Sequence, residues 1–253
     1  AWVLNRLNDF KYAAHEYANT ELGAFPEADR EFYENGSATL KGLGFEVVGD
    51  LEDLTFAKAG MKVMFRLHSG RNQEWLATLY HHIPSKMMQM AGQPEVRVLD
   101  LETMLSDGRF MRTSNAKAED KSHPPELLVL HLGQGVEIEA VIAAHDKRLN
   151  EYLEANPGVS CAVLRTDEDR RKAQNIMGEM AAFHELKTRL LKQALSGVMK
   201  EVNEQSIQDL ALEVEDLRRQ SDTLSSVGAG RSSESRTEDS LESENPPRTP
   251  PRN

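Results

Sequence analysis

One cysteine, Cys161, is all the thiol chemistry in this chain of 253 residues. A lone cysteine forms no internal disulfide, no CxxC redox pair and no cysteine metal cluster. It sits among Val159, Ala162, Val163 and Leu164, which predicts a buried, inert thiol. No apolar run approaches the roughly 18 residues that a membrane span needs, and no stretch has the signal-peptide pattern. Basic charge is scarce as well: 30 Lys and Arg against 41 Asp and Glu give a formal net charge of −11. An acidic surface repels phosphate backbones, so nucleic acid is not an expected partner. The one basic cluster, Arg165, Arg170, Arg171 and Lys172, is interleaved with Asp167, Glu168 and Asp169 and reads as a solvated helix start.

Catalytic motifs are missing too. There is no HExxH and no pair of histidines at i,i+4 spacing, so no metal site is expected. There is no GxSxG elbow for a serine nucleophile. Gly133-Gln134-Gly135 precedes a helix like a phosphate-binding turn, but Ile138 occupies the third fingerprint position. Glu137 and Glu139 would also oppose an anion there, so no nucleotide cofactor is expected.

What is present speaks to architecture. Asp107-Gly108 separates two β-like runs, 96–105 and 109–114, and predicts a two-residue type I′ hairpin. Ser69-Gly70-Arg71-Asn72 separates 61–67 from 75–80 in the same way. Successive hairpins make a meander, which argues against an alternating parallel α/β fold. Short strands are expected at 45–48 and 54–56, and a last one at 127–132. The fold class is therefore α+β, a mainly antiparallel meander sheet of five or six strands flanked by N-terminal and long C-terminal helices.

The helices follow from spacing. Leu4, Leu7, Phe10, Ala14 and Tyr17 fit one helical face, broken at Phe25-Pro26, and a second helix is expected over 27–43. Ile138, Val141, Ile142, His145, Leu149, Tyr152 and Leu153 mark an amphipathic helix that stops at Asn156-Pro157-Gly158. Thr166 and Asp169 form a capping-box variant before a long helix carrying Ile176, Met180, Phe183, Leu190 and Leu191. The stripe Ile207, Leu210, Val214 and Leu217 is a candidate coiled coil, with packing on the sheet preferred. From about residue 221 Ser, Glu, Arg, Pro and Gly dominate, and the segment is expected to be disordered. The expected division is helices over 1–44, an α+β core over 45–155, a helical extension over 156–220 and a tail over 221–253.

Candidate functional residues are few. His81 and His82 are strand neighbours that point to opposite faces. His131 and His145 flank the Gly133 turn, and His145 lies on its helix's apolar stripe; His81, His131 and His145 are the candidate catalytic imidazoles. Trp75 and Tyr80 upstream of Met87, Met88 and Met90 are the candidate lining of an adaptable apolar pocket. Pro247-Arg248-Thr249-Pro250-Pro251-Arg252 matches PxxPxR, the polyproline pattern that SH3 modules read.

The segments Leu43-Gly44-Phe45, Val48-Gly49-Asp50-Leu51, Thr78-Leu79-Tyr80-His81, Thr103 to Gly108 and Thr113-Ser114-Asn115 together resemble a loose group of bacterial α+β proteins with no known activity. The resemblance covers roughly residues 40–153. It implies an α+β fold and, as in some members, an N-terminal membrane anchor; it carries over no functional residue. The chain opens Ala1-Trp2-Val3-Leu4 without an initiator Met, so a leader or anchor upstream is expected. The resulting expectation is a non-enzymatic interaction or ligand-binding module in the cytoplasm or on the cytoplasmic face of a membrane. The alternative is a hydrolase using His and carboxylate side chains.

Overall fold

A computed structural model describes residues 2–58, 61–84, 89–90, 92, 94–118 and 122–196. Arg6–Arg189 is one compact unit; Ala1–Asn5 with Leu190–Asn253 form a second, of which only helix ends are described. The expected coiled-coil stripe, the polar tail, Met87, Met88 and the PxxPxR motif lie outside the described residues.

The strands are β1 (Tyr17–Thr20), β2 (Glu46–Asp53), β3 (Met64–Gly70), β4 (Trp75–His82), β5 (Val96–Met104), β6 (Phe110–Ser114) and β7 (Leu127–His131). They form one seven-stranded sheet in chain order. The first five pairings are antiparallel and β6–β7 is parallel. The helices are α1 (Trp2–Asn8), α2 (Arg30–Gly42), α3 (Leu54–Lys58), α4 (Ile138–Ala155) and α5 (Asp167–Ser196). No helix of the described residues is long and apolar enough to cross a membrane.

The α+β class with a mostly antiparallel sheet holds, but the sheet has seven strands, not five or six. The added strand is β1, inside a stretch whose spacing reads as helix. α1 stops at Asn8, and Tyr17 to Thr20 pair with Asp53 to Asp50. Tertiary pairing overrides a five-position pattern, as it readily does for short segments.

Two further corrections are local. Gly49-Asp50 does not separate two strands. β2 runs through it with a bulge between Val47 and Gly49, where one extra residue is absorbed. The stretch expected as a strand at 54–56 is α3. Asp53 Oδ1 accepts from the backbone N–H of Thr55 (2.8 Å) and Phe56 (3.0 Å), an N-cap that starts a helical turn.

The Asp107-Gly108 hairpin is also of another type. φ is positive at Gly108 (84°) and at neither Ser106 nor Asp107. Gly108 N–H donates to Leu105 C=O and Leu105 N–H to Arg109 C=O, which is the three-residue loop ending in a left-handed glycine. In the β3–β4 loop three successive side-chain-bearing residues, Arg71, Asn72 and Gln73, take positive φ. Arg71 lies 4.9 Å over the Trp75 ring and pairs with Asp146 of α4 at 2.5 Å, contacts that hold this strained loop on the helix.

The sheet has helices on both faces. Alternation sends Trp75, Ala77, Leu79, Leu99 and Leu101 to one face, against Tyr33 and Leu40 of α2 and Val141 and Leu149 of α4. This is the main core; its largest members are fully buried, each worth roughly 1.5–3 kcal/mol. On the other face Phe110 and Leu127 pack with Leu164 and with Ala173 and Met177 of α5. Leu51, Leu67 and Leu76 form a further apolar cluster on that second face, and the candidate site lies between the two clusters, where polar side chains replace apolar ones.

Candidate functional site

β5 reads Val-Leu-Asp-Leu-Glu-Thr from Val98, and its period of two puts Asp100 and Glu102 on the α5 side, away from the main core. Register then assembles their neighbours. Thr78 on β4 stands opposite Asp100, and Arg112 on β6 stands opposite Glu102. With Tyr80, Phe65 and Tyr17 from the adjoining strands, these residues line a cavity of about 240 Å³. α5 supplies Gln174, Met177 and Gly178 from above, and the segment before β1 supplies Tyr12 and His15. A Cβ at residue 178 would stand 2.3 Å from Tyr12 Oη, so glycine there is what lets that hydroxyl approach the helix.

The charged groups form two pairs and a remainder. Arg112 donates from Nε (2.8 Å) and Nη2 (2.5 Å) to Glu102 Oε1. Burial pushes the Glu102 carboxyl above its ordinary range, with Arg112 pulling the other way. Burial lowers the guanidinium's value, but Glu102 and Asp100 outweigh it and hold Arg112 more firmly protonated than usual. Asp53 is 1% exposed and its Oδ2 lies 2.5 Å from His15 Nδ1, which fixes that ring's orientation. Asp100 is the remainder. It is 6% exposed, its Oδ2 meets only Tyr80 Oη at 3.5 Å and Arg112 Nε at 3.8 Å, and its Oδ1 has no hydrogen-bond partner among the described residues.

Two more buried oxygens that line this cavity share that condition: Thr78 Oγ1 and Gln174 Oε1. Buried polar atoms are usually satisfied, and the three orphans that line this one cavity make it the candidate site. The walls are aromatic. His15 packs edge-on to Phe56 (5.1 Å) and stacks with Tyr17 (6.2 Å); Phe65 bridges Tyr17 (6.5 Å) and Tyr80 (5.4 Å). Burial raises the phenols of Tyr12, Tyr17 and Tyr80, so all three remain neutral hydroxyls at neutral pH. Among the described residues no group of three His, Cys, Asp or Glu is arranged to hold a metal ion.

The residues singled out from sequence are scattered over this structure. Tyr80 lines the cavity. Trp75 lies on the opposite face in the main core, and Met90 is 89% exposed, so neither shares a pocket with Tyr80. His145 is fully buried on that opposite face between Thr103 Oγ1 (2.9 Å) and Thr113 Oγ1 (3.0 Å), edge-on to Trp75. His81 Nδ1 accepts from Asp29 N–H (3.0 Å) while Nε2 meets Glu95 (2.6 Å), so the ring ties β4 to the start of α2. His131 sits on β7 with its ring 5.9 Å from His123. The three histidines are not brought together. Cys161 is half-buried, and burial raises its thiol.

Compared with known proteins, the chain matches no family model, no curated protein and no solved structure. The site therefore rests on its geometry. Sequence reasoning missed His15, Thr78 and Arg112, and read Asp53, like Asp100 and Glu102, as surface charge. The legible signal was the alternating acidic pair Asp100 and Glu102, interleaved with Leu99 and Leu101 in the middle of β5.

Proposed function

We propose that this protein is a non-enzymatic small-molecule-binding module and that the cavity between the sheet and α5 is its binding site. The observation that supports this most is the set of unsatisfied buried oxygens of Asp100, Thr78 and Gln174 under an aromatic wall. Leaving such groups unpaired costs stability, about 1–3 kcal/mol for each, and a ligand that satisfies them recovers it. Apolar walls with a few convergent polar groups are the usual make-up of a ligand pocket. One cysteine and hence no disulfide framework suit a reducing compartment, so we place this activity in the cytoplasm or on the cytoplasmic face of a membrane.

The test is a fragment screen by ligand-observed NMR on the full chain and on Ala181→Phe, which fills the cavity from α5. Fragments that bind the parent and not the variant support the reading. Fragments that bind both equally overturn it.

His15 favours a second reading, hydrolysis. Its Nδ1 is held by buried Asp53, the arrangement that orients an imidazole as a general base. Among the described residues no serine or cysteine lines the cavity, which leaves water or the Thr78 hydroxyl as the attacking group. Ester-hydrolysing activity that follows the titration of one group and disappears in His15→Ala would establish this reading in place of the first.

A further inference from the structure

We propose that the cavity takes a small organic ammonium ion, whose N–H groups donate to Asp100, Thr78 and Gln174 while its carbon body lies against Tyr17, Phe65 and Met177. This rests on the ligand-binding reading above and names the class of ligand.

Charge is the first argument. Glu102 takes the hydrogen bonds of Arg112 and Asp53 that of His15, which leaves Asp100 with only Arg112 at 3.8 Å, beyond hydrogen-bond distance. A buried charge needs a partner, and none of the described side chains provides one within hydrogen-bond distance of Oδ1. The second argument is hydrogen-bond polarity. Asp100 Oδ1 and Gln174 Oε1 only accept, and Thr78 Oγ1 is free to accept. Their complement is a group with several donors, and a primary ammonium carries three. The third is the wall, because aromatic faces attract cations electrostatically at ring distances up to about 6 Å.

The same geometry excludes other classes. An anion would face Asp100 and find Arg112 already bonded to Glu102 and His15 to Asp53. An amino-acid zwitterion would seat its amine but leave its carboxylate unmatched for the same reason. A metal ion lacks a ligand set, since no three suitable side chains converge among the described residues. Size also restricts the ligand: about 240 Å³ lies below the roughly 300–1,000 Å³ of drug-sized pockets, which suits an amine with a short aliphatic or single-ring body.

The experiment is an NMR titration of the full chain, following the Met177 methyl signal. The probes are n-butylammonium and 2-phenylethylammonium chloride, with n-butanol and sodium butyrate as neutral and anionic counterparts. The ammonium probes are expected to shift the signal, to lose this effect in Ala181→Phe, and to bind about ten- to a hundredfold more weakly in Asp100→Asn. Thr78→Val, nearly isosteric, is expected to weaken them too, which keeps the test valid if Asp100→Asn does not fold. If butanol or butyrate binds as well as the ammonium probes and Ala181→Phe abolishes it, the ligand class is wrong and the pocket reading stands. If no probe and no screened fragment binds at this cavity, the pocket reading falls and takes the ammonium proposal with it.

Discussion

Arg112 carries more of the site than its place on a short strand indicates. Its guanidinium is bonded to buried Glu102 and stands 3.8 Å from Asp100. Removing it leaves two carboxylates in the cavity floor with no cation bonded to either. Breaking one partner of a buried pair typically costs about 3–5 kcal/mol, so Arg112→Leu is expected to lose that much in urea unfolding at pH 8. The loss should shrink as the pH is lowered to 5, because burial raises the Glu102 carboxyl and a proton taken up there removes its unmatched charge; an equal loss at both values would show that Arg112 acts by packing alone. Asp107 shows the opposite case. Its Oδ1 accepts from Arg109 N–H and its Oδ2 from the Tyr152 hydroxyl, so turn and helix contacts account for its residue type without chemistry. Tyr80 was singled out from sequence on its residue type, but Thr78 and Asp53 were not, because nothing local distinguishes a cavity-facing threonine or aspartate from a surface one.

At the scale of elements, the close approach of the β2–β3–β4 corner depends on a missing side chain. A Cβ on Gly70 would stand 2.5 Å from two carbons of the Phe45 ring, and that ring is 3% exposed. A packed ring cannot retreat cheaply, so Gly70→Ala is expected to cost about 1–3 kcal/mol by overpacking. Gly36 in α2 is a useful contrast. There the Cβ would meet the flexible tip of Leu79 at 2.8 Å, and alanine also gains roughly 1 kcal/mol of helix propensity. Gly36→Ala should therefore be the milder of the two in matched thermal melts, and the reverse order would mean the Phe45 ring can move. Elements with long, clean periodicity were legible: α4 and the central strands lie close to where spacing puts them. β1, α3 and the bulge in β2 were not, because each spans few residues and is decided by a partner distant in sequence.

Over the whole molecule, two buried histidines make stability depend on pH. Burial lowers His68 from 6.5 to about 4 and His145 from 6.5 to about 3. Both folded values lie below the unfolded one, so the unfolded chain binds protons first as pH falls. Their effect is absent above pH 6.5 and grows as the solution is acidified through the window down to the folded values. Each contributes a slope of roughly 1.4 kcal/mol per pH unit within that window. Glu102 works in the opposite direction, since burial raises its carboxyl, but it is one group against two large shifts. The urea midpoint is expected to fall between pH 7 and pH 5; a flat profile would show that these imidazoles are not neutral in the folded state.

By itself the sequence determined the α+β class, the run of hairpins, the two amphipathic helices that follow, and the burial of His145. These depend on period and turn chemistry, which act within a dozen residues. Tertiary structure alone decided the seventh strand and the site. A strand's alternation shows that Asp100 and Glu102 share a face, but not whether that face meets water or a helix. Only the docking of α5 on the sheet, and the pairing of Tyr17 with Asp53, turned a polar strand face into a cavity with orphaned oxygens.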